Sequence, residues 1–145
     1  MANWVRVMLV SATLASSPVW PADLRETLTE VDVAGTDRVA AAKYGGASAL
    51  AARGAPPLEI ALAVVGLFEG AKQHIVQVNE GAEAPSASRI TVLRDGLLDD
   101  SIRSERWDIV LARTDAGTWR ITEVRRAWRC WRGAQGQPFA TDRCP

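Results

Sequence analysis

Thiols and imidazoles are scarce in this 145-residue chain, which has two cysteines and one histidine. A tetrahedral zinc shell needs more ligands of these kinds than Cys130, Cys144 and His74 can supply. The cysteines are 14 positions apart, far from the Cys-x-x-Cys spacing of redox motifs. The sequence therefore predicts neither a zinc centre nor a dithiol redox site.

Common catalytic and nucleotide-binding motifs are also missing from the sequence. It contains no Gly-x-Ser-x-Gly elbow, no P-loop and no His-Glu-x-x-His. The formal net charge is zero, which gives no indication of nucleic-acid binding. The apolar run 7–15 is shorter than the roughly 20 residues of a membrane span. We therefore expect no catalytic centre, no cofactor, no metal, no nucleic-acid partner and no transmembrane segment in the mature chain.

The start of the chain has the three-part order of a secretory signal. One cation, Arg6, precedes the apolar run, small residues follow it, and no acid occurs before Asp23. Cleavage fits after Ala15 or after Ala22, and the alternative is a buried N-terminal strand or helix. We interpret residues 1–22 as a signal peptide, which predicts a periplasmic or extracellular (secreted) protein.

The last twenty residues hold both cysteines, two of the six tryptophans and four arginines. A disulfide between Cys130 and Cys144 would persist in an oxidising compartment and not in a cytosol. Closing a loop of this length stabilises a fold by about 3 kcal/mol. The intervening "WRGAQGQPFATDR" contains Gly and Pro breakers and little else to order it. The sequence predicts a structural disulfide that closes a C-terminal flap.

Apolar spacing predicts helices in the first half of the chain. The segment 22–35 has leucine and valine at helical spacing. The alanine-rich segment 36–54 is interrupted by a Gly-Gly pair, and its structure stays open. The clearest helix covers 57–69, with Pro57 in its first turn and Gly70 as its stop.

From residue 73 the apolar period changes to two, which is typical of strands. The alternating segments are 73–80, 87–97, 101–114 and 118–130. Short connections make consecutive strands antiparallel, and Gly117 suits a hairpin that needs a left-handed residue. The apolar parity slips between Ile121 and Val124, which predicts a β-bulge near 122–124.

These segments together predict one α+β domain over residues 23–145. Its N-terminal helices pack on one face of a four-stranded antiparallel meander. A disulfide-closed flap follows the last strand.

Arginines and tryptophans alternate along the last predicted strand and its exit. The candidate binding residues are Arg125, Trp128, Arg129, Trp131 and Arg132. Arg125 and Arg129 are expected to share a face of the sheet. Arginine stacked on indole suits an anionic or aromatic ligand. The alternative is an edge strand whose charges keep other chains from pairing with it.

Several features of the second half occur together at fixed spacing. They are "GLLDDSIRSERWDIVL", then Trp119-x-Ile121, then an Arg-Cys pair with a second cysteine 14 residues on. This set, an RC-x13-C tail included, resembles a family of small secreted bacterial α+β proteins of unknown function. In such tails fixed offsets hold a glycine, a glutamine, an aromatic, an acid and the final cysteine, here Gly133, Gln137, Phe139, Asp142 and Cys144.

The resemblance covers residues 57–145 and departs at 133–136. The family tends to have Gly-Arg-Gly-His there, so a role of that Arg or His is not carried over to this chain. The resemblance implies a fold and a compartment, and it implies no reaction.

Three classes of function remain open. The favoured one is an exported, monomeric or weakly associating protein that binds a small anion or an envelope partner. A small periplasmic enzyme would need a pocket holding His74 beside a carboxylate. A structural or partner-binding envelope protein would expose a broad apolar patch. Asp95, Asp99, Asp100 and Ser101 could supply oxygen ligands to calcium, but they are too few for its usual shell, and a turn explains them more simply.

Overall fold

The computed structural model describes residues 35–133 and 137–145. The predicted signal peptide lies outside the described residues, as does all but the last residue of the segment 22–35. In chain order the elements are β1 (Asp37–Arg38), a 3-10 helix (Ala41–Tyr44), α1 (Gly45–Ala52), α2 (Pro57–Val65), β2 (Gly70–Glu80), β3 (Ala87–Leu97), β4 (Ile102–Arg113) and β5 (Trp119–Cys130).

The strands form an antiparallel sheet in the order β1-β5-β4-β3-β2. The predicted α+β class and the β2–β5 meander are therefore confirmed, but the prediction of four strands is wrong. The fifth strand, β1, pairs Asp37 with Arg126 and Arg38 with Arg125. Two residues are too few to produce a readable alternation, so the sequence pattern could not reveal this strand. Because β1 covers it, β5 is not the outermost strand, and the edge-strand interpretation of its charges is wrong.

The helices pack on one face of the sheet, as predicted. Strand alternation points Ile90, Ile109 and Val124 toward that face, and each of them is fully buried. The helices add Ile60 of α2 and Ala51 of α1 to the same apolar cluster. The core therefore lies between the two helices and the strands β3, β4 and β5.

Two predicted helix boundaries need correction. Helix α2 ends at Val65 rather than at residue 69, because Gly66 has φ +70° and turns the chain away from the helical path. Gly70, predicted as the stop, is instead the first residue of β2. The Gly-Gly pair of the segment 36–54 begins α1 rather than interrupting it.

The predicted β-bulge is confirmed. Val110 pairs with Glu123 and Leu111 pairs with Ile121, so Thr122 is an extra residue on β5. Gly117 has φ +79°, as its predicted place in the hairpin between β4 and β5 requires. A second register shift, at Arg103 of β4, was not predicted.

The C-terminal flap is held to the sheet by covalent and backbone bonds. Cys130 and Cys144 form the predicted disulfide, with Cα atoms 5.3 Å apart. Within the closed loop, Ala140 exchanges two backbone hydrogen bonds with Trp128, at 2.9 and 3.0 Å. Phe139 is 3% exposed. The flap therefore continues the cover that β1 gives to the outer edge of β5.

Candidate functional site

The sheet face turned away from the helices is lined with charged side chains. Neighbours along a strand point to opposite faces. Since Ile90, Ile109 and Val124 point to the helices, the residues beside them, such as Arg89, Asp108 and Arg125, point the other way. This second face is therefore where polar recognition can take place.

A cavity of about 340 Å³ lies on this face, and we call it the sheet groove. Its lining residues are Gly35, Thr36, Arg89, Arg106, Asp108, Val110, Glu123 and Arg125. They come from β3, β4, β5 and the segment that leads into β1. A volume of this order is typical of sites for small molecules.

Asp108 organises the floor of the sheet groove. Its carboxylate accepts a hydrogen bond from Thr91 Oγ1 at 2.6 Å. Arg106 donates to the same carboxylate twice, from Nε at 2.8 Å and from Nη2 at 3.2 Å. The Arg106 and Asp108 side chains are only 11% and 12% exposed, so this pair is largely removed from solvent. Asp108 therefore fixes the Arg106 guanidinium in one orientation.

Glu123 organises the rim of the sheet groove. Its Oε1 accepts hydrogen bonds from Arg38 Nη2, at 2.9 Å, and from Arg125 Nε. The hydrogen bond from Arg125 is the main reason that the pKa of Glu123 lies below its usual value. Because Glu123 engages only Nε of Arg125, the terminal nitrogens of that guanidinium keep their donors. The Arg125 side chain is 46% exposed, so these donors are accessible.

The five candidate binding residues do not form one site. Arg125 and Arg129 share a face, as predicted. Their partners on β4, Asp108 and Ser104, are an even number of positions apart and therefore point to the same side of the sheet. However, the Arg129 guanidinium lies 4.2 Å from the centre of the Phe139 ring, under the flap. Trp128 points to the opposite face, and its Nε1 donates to the carbonyl oxygen of Asp142 at 2.7 Å.

The flap encloses a second cavity of about 400 Å³ at the end of β5. Its lining includes three of the candidates, Trp128, Arg129 and Arg132. Trp131 lines neither this cavity nor the sheet groove. Its Nε1 donates to the carbonyl oxygen of Asp99 at 2.7 Å, so it anchors the turn before β4.

His74 does not lie in a pocket with a carboxylate. It is an exposed residue of β2, paired with Leu93 of β3. Among the described residues, no carboxylate forms a hydrogen bond or an ion pair with it. The feature that the enzyme alternative requires is therefore missing from this part of the chain.

The Asp99 carboxylate stabilises a turn, which is the role that the sequence favoured over calcium binding. It accepts hydrogen bonds from the backbone N–H groups of Ser101 and Ile102, at 2.8 and 2.6 Å. Within residues 35–133 and 137–145, no group of three or more His, Cys, Asp and Glu side chains is placed to hold a metal ion. In the same residues, no helix has the length and apolarity to cross a membrane.

Sequence reasoning identified Arg125 and missed the rest of the sheet groove. Arg106 and Asp108 occupy alternate positions of β4, on either side of the buried Trp107, and Arg89 lies on the same face of β3, where it pairs with Val110. Charged residues at every second position of an inner strand were the available signal. Such a pattern predicts a polar sheet face, since inner strands with both faces covered are apolar on both.

Comparison of the chain with protein-family models, curated proteins and solved structures finds no match. The resemblance of residues 57–145 to small secreted bacterial proteins therefore stays a prediction, and no proposal depends on it.

Proposed function

We propose that the protein is an exported binding protein that holds a small ligand with one anionic group in the sheet groove. The observation that carries this proposal is the convergence of Arg89, Arg106 and Arg125, from three neighbouring strands, on one cavity. The planar guanidinium of arginine presents a fork of donors that binds two oxygens of a carboxylate or a phosphate at once. The cavity volume favours a small molecule over a macromolecular segment.

Two carboxylates in the lining of the sheet groove, those of Asp108 and Glu123, disfavour a ligand with several anionic groups. Both carboxylates accept hydrogen bonds from arginines, so they orient the guanidinium groups. A polyanion would bring its further charges close to these two carboxylates and be repelled.

Arg125 is the side chain best placed to bind the anionic group. Arg106 gives both Nε and Nη2 to Asp108, whereas Arg125 uses only Nε for Glu123. Val110 places an apolar surface in the same groove. A short-chain carboxylate, with its charged end at Arg125 and its apolar end at Val110, is therefore the ligand class that fits best.

NMR titration with acetate, butyrate, inorganic phosphate and citrate tests this proposal. Butyrate is expected to bind more tightly than acetate and citrate, and to shift the amide signals of residues 89, 108 and 125. Arg125→Gln should weaken binding about tenfold or more, because a hydrogen bond to a charged group contributes roughly 1.5–3 kcal/mol. Arg120→Gln is the matched control, since Arg120 is an exposed residue of the same strand and pairs with Ala112 outside the groove. Equal affinities of the two variants, or no response to any probe, would contradict the proposal.

Export is the second part of the proposed function. The signal-like order of residues 1–22 supports it, and so does the Cys130–Cys144 disulfide, because such bonds persist in oxidising compartments. Expression of the full chain in a bacterium, followed by fractionation and intact-mass measurement, tests it. The expected product begins at residue 16 or 23 and lies outside the cytoplasm. Its mass is expected to be lower than that of the dithiol form by two hydrogen atoms, as the disulfide requires. An unprocessed cytoplasmic product with free thiols would rule export out.

A further inference from the structure

The two edges of the sheet differ in how they are covered. The outer edge of β5 carries β1 and the bridge between Trp128 and Ala140 of the flap. The opposite edge is the outer side of β2, and no strand of the described residues pairs with it. A strand at an open edge presents a row of backbone N–H and C=O groups that can pair with another chain.

Strand β2 lacks the usual features that prevent such pairing. It is 11 residues long, from Gly70 to Glu80, and contains no proline. Its register with β3 is constant from Gly70↔Leu97 to Glu80↔Ala87, so no bulge bends the edge away. Natural edge strands are usually kept apart by short length, proline, bulges or clustered charge. The outer edge of β2 is therefore suited to form hydrogen bonds with a further strand.

We propose that two copies of this protein associate through β2, antiparallel, about a two-fold axis at Val76. This register places Lys72 opposite Glu80 of the second copy, and the symmetry repeats the pair. It also places Gln73 opposite Asn79 of the second copy, so that two amides face each other. Opposite charges on directly opposed residues stabilise an antiparallel pair of strands, and a two-fold interface must be self-complementary in this way.

The charges of β2 select this register over its neighbours. An axis at Ile75 would place Lys72 opposite Val78 and Glu80 opposite Gly70, and an axis at Gln77 would place Glu80 opposite His74. Neither brings the lysine and the glutamate together.

The dimer is expected to be weak and reversible. Backbone pairing of one strand from each copy buries much less than the roughly 1,200 Å² of a standard interface. We therefore expect a dissociation constant between about 10 µM and 1 mM, which sedimentation equilibrium at several concentrations can measure. The proposal is independent of the ligand in the sheet groove, because the lining of the groove contains no residue of β2.

Charge reversal tests the register and includes its own folding control. Glu80→Lys and Lys72→Glu should each raise the dissociation constant about tenfold, because each symmetric dimer then opposes two pairs of like charges. An equimolar mixture of the two variants should associate as tightly as the wild type, since its heterodimer opposes only unlike charges. A variant that failed to fold would not be rescued in the mixture. Glu83→Lys, in the exposed loop after β2, controls for the change in net charge.

Cysteine cross-linking gives a second reading of the register. Val76→Cys should form a dimer through its new thiol under mild oxidation, because the two copies of residue 76 oppose each other. His74→Cys should not form such a dimer, because residue 74 of each copy lies opposite residue 78 of the other and not opposite residue 74. A wild type that stays monomeric at about 1 mM would overturn the proposal. So would a mixture of the charge variants that associates no better than either variant alone.

Discussion

The Arg94 guanidinium of β3 donates from Nη1 to the carbonyl oxygen of Val65, the last residue of α2, at 2.8 Å. Its Nη2 donates to the carbonyl oxygen of Gly66 at 2.6 Å, and its Nε to Gln73 Oε1 at 2.9 Å. The side chain is buried, and this desolvation lowers the pKa of Arg94. One cation of the sheet therefore satisfies carbonyl groups at the end of a helix that otherwise have no intrahelical partner.

Removal of the Arg94 side chain is expected to destabilise the fold strongly. Arg94→Met should lower the free energy of unfolding by about 2–4 kcal/mol, because buried carbonyl groups lose a charged donor. Arg94→Lys should recover only part of this loss, since an ammonium cannot reproduce the fork of guanidinium donors. Urea denaturation measures both, with Arg120→Met as an exposed control. A value for Arg94→Met within about 0.5 kcal/mol of the wild type would contradict this role.

The disulfide is expected to stabilise the flap and the whole fold. Replacing Cys130 and Cys144 by alanine should lower the free energy of unfolding by about 3 kcal/mol, the loop-closure value for this spacing. The Ala140 amide, which donates to Trp128, should then exchange its hydrogen much faster with solvent. Denaturation and amide exchange test the two effects separately. Unchanged protection of Ala140 in the double variant would mean that backbone pairing alone holds the flap.

Acidification is expected to remove the contribution of Glu123 to stability. The folded-state pKa of Glu123 lies below its ordinary value of 4.5, chiefly because of the hydrogen bond from Arg125. A carboxyl group of this kind stabilises the fold fully above its unfolded pKa, and the contribution is lost as the pH falls through the lower, folded pKa. Glu123→Gln should therefore lose less stability than the wild type between about pH 5 and pH 3. Urea midpoints across this range measure the difference, and Glu83→Gln, in an exposed loop, should behave like the wild type.

The side chains of Arg126 and Glu105, which form an ion pair, are expected to be energetically coupled to each other. The Arg126 guanidinium lies over two indole rings, 4.8 Å from the centre of Trp107 and 5.6 Å from that of Trp128. Trp107 Nε1 also donates to Glu105, at 3.1 Å. A double-mutant cycle with Arg126→Gln and Glu105→Gln should give a coupling energy of about 1–2 kcal/mol. This is more than an exposed ion pair contributes, because both side chains are mostly shielded from solvent. Strictly additive effects would show that the two side chains contribute independently.

The parts of the fold that could be predicted from the sequence have local causes. The strands β2 to β5 follow from alternation, and the bulge at Thr122 follows from a slip in that alternation. Gly117 was predictable because its turn needs a positive φ. The Cys130–Cys144 bond followed from cysteine count and spacing.

The parts that could not be predicted depend on contacts between distant segments. Strand β1 exists because Asp37 and Arg38 meet β5, almost ninety positions away along the chain. Arg94 occupies a position of β3 whose side chain points toward the apolar core. Only the position of α2 above it explains why an arginine is buried there. The separation of Arg125 from Trp128 follows from sheet faces, which place neighbouring candidates on opposite sides.

Thr122 determines which side chains the sheet groove can have. Ahead of it, Trp119 and Ile121 point toward the helices; beyond it, Val124 does. If Thr122 instead continued the regular alternation and no bulge formed, Glu123 and Arg125 would be directed into the apolar layer and Val124 into the groove. The chemistry of the open face thus depends on the bulge in β5 as well as on the composition of that strand. A relative with the same residues but a regular β5 would present a different surface.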